Sequence, residues 1–288
     1  MKSQRTLRWY ASRILLHGFL MTMAVVFMFP FVWSLLTSLK TMPELFKPMP
    51  SGSISEVINY MIPKFWRWEN YQQVFDTVPF GRFYINTIIV TIARTVGGVF
   101  IASLAGFAFA QLRFKGRDLI FFVLLAGLMV PDQVLIVPRY ILMREFGWLD
   151  TYQGLIVPLL FSAFGAFLLR QFFLGIPRDF YEAAALEGAN PFRIYRDIYV
   201  PLALPALSAF GFLTFLWSWN EFLWALTITN STDMRVMSVG IALFEGQYNT
   251  NTAVMLAAAN LATVPLILLF IVFQKQLVQG IALTGVKG

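Results

Sequence analysis

Runs of about 20 consecutive apolar residues recur along the whole chain, each long enough to cross a hydrocarbon core roughly 30 Å thick. Six stand out: Ile14 to Leu39, Ile85 to Ala110, Leu119 to Pro138, Tyr152 to Leu169, Leu202 to Ile228 and Val254 to Phe273. In lipid a spanning backbone must satisfy its amides internally, which leaves helices and closed barrels. Barrel strands alternate apolar and polar residues, whereas these runs are continuous. The expectation is an all-α, polytopic membrane protein with six transmembrane helices. Composition agrees, because only 13% of residues are charged, against roughly a quarter in a soluble domain.

The charges follow the same logic. Lys2, Arg5, Arg8 and Arg13 precede a first span that is longer than a signal-peptide core and is followed by no small-residue cleavage site. We read an uncleaved first helix with its amino terminus in the cytoplasm. Inner segments then carry Arg113, Lys115, Arg117, Arg170, Arg178, Arg193, Arg196, Lys275 and Lys287, while the outer loops offset their basic residues with acidic ones. The positive-inside rule therefore places both termini inside, and accounts for the net charge of +7 without nucleic acid.

Several chemistries are excluded. Cysteine is absent, so disulfides, thiolate metal sites and thiol nucleophiles are ruled out. His17 is the only histidine, and no His and carboxylate cluster has metal-ligand spacing. No phosphate loop of the form Gly-x-x-x-x-Gly-Lys-Ser/Thr occurs, so nothing in the sequence supports ATP hydrolysis on this chain. No catalytic residue, bound metal or cofactor is expected. Three ionisable residues lie in or beside spans, Arg94, Asp132 and Glu221. Such residues often mark ion paths, which keeps an ion-coupled secondary transporter or a channel open as alternatives.

Residues 1–288 read as one membrane domain. A long outer loop, about 40–84, is rich in Pro and aromatic residues and is expected to be ordered but irregular. Gly98, Ala102, Gly106 and Ala110 recur every fourth position in the second span, a small-residue stripe suited to close helix packing. Pro30, Pro131, Pro158 and Pro265 are expected to kink or end their spans.

The only sizeable cytoplasmic segment, about 173–201, has its own pattern. Pro177, Asp179 and Glu182 suit the start of a helix, and Ala183, Ala184, Ala185 and Leu186 continue it. Gly188 can take the positive φ of a helix end, after which Asn190 can cap a second helix with Pro191 in its first turn. Phe180, Ala183, Ala184, Glu187 and Gly188 would form a low ridge. Such a ridge fits a groove on another protein; equally, the helix could lie on the membrane surface with Arg178, Arg193 and Arg196 at anionic headgroups.

These residues carry a resemblance. Glu182-Ala183-Ala184, three residues, Gly188, nine residues, Ile198, one residue and Pro201 resemble the cytoplasmic motif of permease subunits of binding-protein-dependent ABC importers, with Val200 where that motif has leucine. Trp219-Asn220-Glu221-Phe222-Leu223-Trp224 and the carboxyl terminus, Gln274 to Gly280 and Gly285 to Gly288, resemble the carbohydrate branch of maltose-permease type.

The resemblance implies a multi-pass subunit of the bacterial cytoplasmic (inner) membrane that translocates a sugar, oligosaccharide or related solute. Its partners would be two ATPase subunits carrying ATP and Mg, a second related permease and an external solute-binding protein. Glycerol phosphate, amino acids or peptides are the other substrates considered. Glu182, Ala183, Ala184, Glu187, Gly188, Ile198 and Pro201 would couple to the ATPase, and the tail Gly285, Val286, Lys287 and Gly288 would also reach it, against the alternative of a disordered end. At helical spacing Trp217, Asn220, Glu221 and Trp224 would share one face of the fifth span. That face would line a sugar path, or else lie at the outer interface, where Trp is favoured.

Overall fold

The computed structural model describes residues 7–245 and 251–285. Every regular element among them is helical. The chain divides into two compact units, Met1–Val78 with Ile241–Thr263, and Pro79–Gly240 with Val264–Gly288.

The first unit begins with α1, Leu7–Ser38, which is long and almost wholly exposed. Pro30 sits inside it without interrupting the helix. The long loop after α1, expected to be irregular, instead carries three short helices: α2 Met42–Leu45, α3 Ile54–Met61 and α4 Glu69–Thr77. Buried side chains that satisfy backbone groups make this order possible. Asn70 donates to the carbonyls of Ser38 (2.8 Å) and Lys40 (3.0 Å), capping the end of α1. The Glu44 carboxylate accepts from the amides of Thr41 (2.9 Å) and Lys64 (3.0 Å). Burial opposes ionisation of Glu44, but those hydrogen bonds and the nearby Lys40 hold its carboxyl below the usual range. Burial likewise lowers the Lys40 ammonium, which donates to the Tyr60 carbonyl at 2.6 Å.

Asn70→Ala is expected to leave two carbonyls without a donor and to cost about 1–3 kcal/mol. Thermal unfolding of the purified protein checks this, and an unchanged midpoint would remove Asn70 as the cap.

The second unit is built on α5, Phe80–Gln111. The third expected span is broken: α6, Arg117–Ala126, runs through a 3-10 turn to Met129, and the chain then bends by 95° into Asp132–Leu135 and α7, Ile136–Glu145. Pro131, which lacks an amide hydrogen and disfavours helix in the residue before it, stands at the break. The fourth span bends by 45° between α8, Tyr152–Ile156, with its 3-10 extension through Pro158, and α9, Ala163–Leu174. After α10, Asp179–Leu186, the helices α11, Pro191–Ile194, and α12, Val200–Leu202, flank a π-helical turn over Tyr195–Tyr199. An 81° bend leads into α13, Leu204–Trp219.

The fifth span thus stops at Trp219 rather than Ile228. A separate helix, α14, covers Leu223–Ile228, and is followed by α15, Met237–Ala242, and α16, Thr252–Gly285, which contains Pro265 without a break. Among the described residues three helices are long and apolar enough to cross a membrane, and up to six spans result when each bent pair is counted as one. The six-helix reading stands with three of its members broken.

The small-residue stripe seats α9 on α5. A Cβ at Gly106 would lie 2.9 Å from the Arg170 amide nitrogen and 3.0 Å from Leu169 Cβ. Ala102 and Ala110 are buried on the same face. Two side-chain bonds tie the pair further: Gln111 donates to the Phe173 carbonyl (3.0 Å) and Arg170 to that of Phe109 (3.2 Å).

Candidate functional site

The segment between α9 and α13 folds as its sequence suggests. Gly188 has φ +85°, and the Ala189 amide reaches back to the Ala184 carbonyl at 3.0 Å, closing α10 with a left-handed turn. Asn190 accepts from the Arg193 amide at 2.8 Å and Pro191 opens α11. Glu182 pairs with Arg178 at 3.0 Å on the exposed surface. An exposed i,i+4 pair of this kind contributes only about 0.3–0.5 kcal/mol, so either charge can exchange partners at little cost.

The ridge differs from expectation in one member. Ala184 faces inward and is buried, whereas Phe180, Ala183, Leu186 and Glu187 are exposed. Helical geometry explains this: Ala184 lies three residues from Tyr181, and both pack toward the spanning helices. Leu186, 90% exposed, is the most prominent apolar side chain of α10. Ile198 is half-buried against the core, and Pro201 lies exposed at the amino end of α12.

Beneath the ridge lies an aromatic cluster that sequence reasoning missed. Phe107 of α5 meets Tyr199 (ring centroids 5.0 Å), Tyr195 (5.3 Å), Phe173 of α9 (6.2 Å) and Tyr181 of α10 (6.4 Å). The hydroxyls of Tyr195 and Ser103 lie 2.6 Å apart. Ala184, Ile194, Tyr195 and Tyr199 therefore share one core with α5 and α9. The cue was present, since Tyr195 and Tyr199 stand four residues apart and so on one side of a helix.

A second constellation surrounds the break after α13. Trp217, Asn220, Glu221 and Trp224 do not share one helical face, because the helix ends at Trp219 and Trp224 belongs to α14. They nevertheless line one cavity of about 560 Å³, together with Asp132 and Gln133. Trp217 is 53% exposed, while Trp224 is buried, its indole donating to the Gly154 carbonyl at 3.0 Å. The Glu221 carboxylate accepts from the Trp224 amide (2.9 Å), capping α14, and its carbonyl accepts from the Ser238 hydroxyl (2.6 Å). The loss of helical hydrogen bonds at the break is thus made good by side chains.

The three ionisable residues in or beside the spans converge here too. A larger neighbouring cavity of about 810 Å³ is lined in part by Arg94, Asp132, Arg139, Trp217 and Glu221. Arg94 is buried and donates twice to the Leu155 carbonyl. Asp132, exposed at the bend, pairs with Arg139 at 2.6 Å, and the Arg139 guanidinium lies 5.2 Å from the Trp224 ring centroid. The arrangement is a polar pocket with aromatic walls and its charges held in place.

Of the four tail residues, Gly285 is the last residue of α16. Val286, Lys287 and Gly288 lie outside the described residues.

Comparison with known proteins places these features in context. The family described as binding-protein-dependent transport system inner membrane component matches residues 98–283. The arabinooligosaccharides transport system permease protein AraQ of Bacillus subtilis (strain 168) is 33% identical over 277 residues, 96% of this chain and 96% of its own. The diacetylchitobiose uptake system permease protein NgcG of Streptomyces coelicolor is 29% identical over 92% of this chain and 86% of its own. The sn-glycerol-3-phosphate transport system permease protein UgpE of Brucella abortus (strain 2308) is 31% identical over 95% of this chain and 97% of its own. The crystal structure of a bacterial ABC transporter involved in the import of the acidic polysaccharide alginate contains a chain with the same fold, at a TM-score of 0.79 and 22% identity, covering 94% of this chain and 98% of that one.

Proposed function

The chain belongs to the family of binding-protein-dependent transport system inner membrane components, and on that premise we propose that it forms, with a second related permease, the pathway of an ATP-driven importer for an oligosaccharide or related sugar. It is a multi-pass inner membrane protein and a transport permease subunit. ATP and Mg would bind to two partner ATPases, and an external solute-binding protein would deliver substrate, with both chain termini on the cytoplasmic side.

The observation that carries this reading is the packing of α10 into the core of α5 and α9. Its outer face, with Phe180, Ala183, Leu186 and Glu187, stays free to dock in a groove of the ATPase. Its inner face, through Ala184 and Tyr181, is fixed to membrane-spanning helices. Gly188 and Ile198 hold the segment's shape, Glu182 would pair with a basic residue of the ATPase, Pro201 would belong to the same coupling segment, and the tail through Lys287 would add a second contact. Opening and closing of the ATPases would bias the permease between inward-open and outward-open states, because the two fit the dimer differently. Vesicles test the assembly: uptake should require ATPase, second permease and binding protein together, and uptake by this chain alone in a solute or proton gradient would overturn the reading.

Sugars are favoured as cargo because of the exposed Trp217 ring beside Asn220 and Glu221, an aromatic face next to hydrogen-bonding groups. The relatives named above for arabinooligosaccharides and diacetylchitobiose point the same way. Glycerol phosphate is the second choice, from the relative so named. Trp217→Ala is expected to raise the half-saturating sugar concentration for uptake about two- to tenfold, the effect of losing about 0.5–1.5 kcal/mol of ring contact. An unchanged concentration dependence would remove this cavity from the path.

A further inference from the structure

We infer that α3 and the aromatic segment after it form an anchor lying in the membrane-water interface, with phospholipid as the occupant of its exposed apolar face. This goes beyond the transport reading and does not depend on it.

The argument begins with pattern. Ile54, Val57, Ile58 and Met61 fall at i, i+3, i+4 and i+7, so they share one face of α3, while Ser55, Glu56 and Asn59 take the other. In an aqueous loop such a face would turn inward. Here Val57 and Met61 are half-buried against the protein, while Ile54 is 81% exposed and Ile58 51%. The chain continues with Ile62, Phe65, Trp66 and Trp68, all exposed, the two tryptophan rings stacked with centroids 6.5 Å apart.

Position decides between water and lipid. The loop is pinned to the end of the first span rather than projecting from it. The Arg67 amide donates to the Leu39 carbonyl at 3.0 Å, and Asn70 holds Ser38 and Lys40. The buried Lys40 ammonium lies 4.5 Å from the Tyr60 ring centroid and 5.9 Å from that of Trp33. Trp33 stands five residues before the end of α1, a depth of about 7.5 Å at 1.5 Å per residue. The carboxyl end of α3 is therefore level with the last turns of a membrane-spanning helix whose apolar surface is exposed. The exposed apolar residues of α3 thus lie beside an exposed apolar helix end at the same depth. Tyr and Trp are the residues that favour this depth, where the ring meets acyl chains and the polar edge meets headgroups.

The absence of cysteine from the chain gives a clean test. Single cysteines at Ile54 and Ile58, and at Asn59 on the opposite face, would carry an environment-sensitive fluorophore in the assembled transporter. The other subunits would be cysteine-free, and the vesicles made of phosphatidylethanolamine and phosphatidylglycerol. Labels at 54 and 58 should emit to the blue of that at 59, lose quenching by iodide and gain quenching by nitroxides fixed near lipid headgroups. Iodide quenching at 54 and 58 equal to that at 59 would overturn the proposal, because the face would then lie in water. Shielding from both quenchers, relieved when the binding protein or second permease is omitted, would overturn it in favour of a protein occupant.

Discussion

A valine at Gly188 is expected to abolish, or reduce at least about tenfold, ATP-driven uptake while leaving the amount of membrane-inserted permease unchanged. The residue has φ +85° and open space around the position of a Cβ, so the obstacle is conformational and not a collision. A left-handed conformation costs an ordinary L residue about 1–2 kcal/mol, and β-branching adds to it. The chain would relieve this by unwinding the end of α10 and losing the bond from the Ala189 amide to the Ala184 carbonyl. That displaces Glu187 and Leu186, which stand on the face proposed to dock, whereas the close approach of α5 and α9 at Gly106 does not involve these residues. Asn, which tolerates this region better than other side chains, should retain much of the uptake at this position. Parallel measurement of membrane level, ATPase co-purification and uptake separates the effects. Normal uptake in the valine variant would remove the turn from the mechanism.

Gly106→Leu is expected to have the opposite profile, with loss of the folded protein itself. The atoms nearest a Cβ there include the backbone of Leu169 and Arg170, at about 3 Å, and backbone cannot swing aside as a flexible side chain can. Overpacking of this kind falls at or above the upper end of about 1–3 kcal/mol, which lowers an unfolding midpoint by roughly 6 °C or more for a chain of this size. The variant should be lost during detergent extraction or unfold early in a thermal series read by size exclusion. A midpoint equal to that of the parent would mean that α5 and α9 do not approach as closely as described.

Both predictions concern residues whose roles were legible before the fold was known. Gly106 belonged to a four-residue repeat of small side chains, and Gly188 stood where an alanine-rich helix had to end before a capping Asn-Pro pair. Long-range consequences were less legible. Hydropathy marks which residues prefer lipid, yet it is blind to a bend; prolines pointed to the breaks at Pro131 and beside Pro158, but equally to Pro30 and Pro265, where the helices run on, and nothing pointed to the bend at Ala203. The face proposed for Trp217, Asn220, Glu221 and Trp224 failed for the same reason. Helical spacing is meaningful only while the helix lasts, and here it stops at Trp219. These residues meet regardless, because Glu221 caps α14 and turns the chain back around the cavity. Ala184 shows the converse, since composition alone could not say which side of a short, mostly exposed helix faces the protein.

The ring cluster around Phe107 has a mechanical consequence. A loop joined to its helices only by chain would behave as a tether, absorbing a small push as slack. Close-packed aromatic rings leave no such slack, because interiors packed to crystal-like density transmit strain instead of dissipating it. With Tyr181, Tyr195 and Tyr199 packed around Phe107, a stroke delivered to α10 by the proposed partner ATPase would be passed on to the ends of α5 and α9. In the proposed assembly the segment would act as a crank, its throw set by the rings.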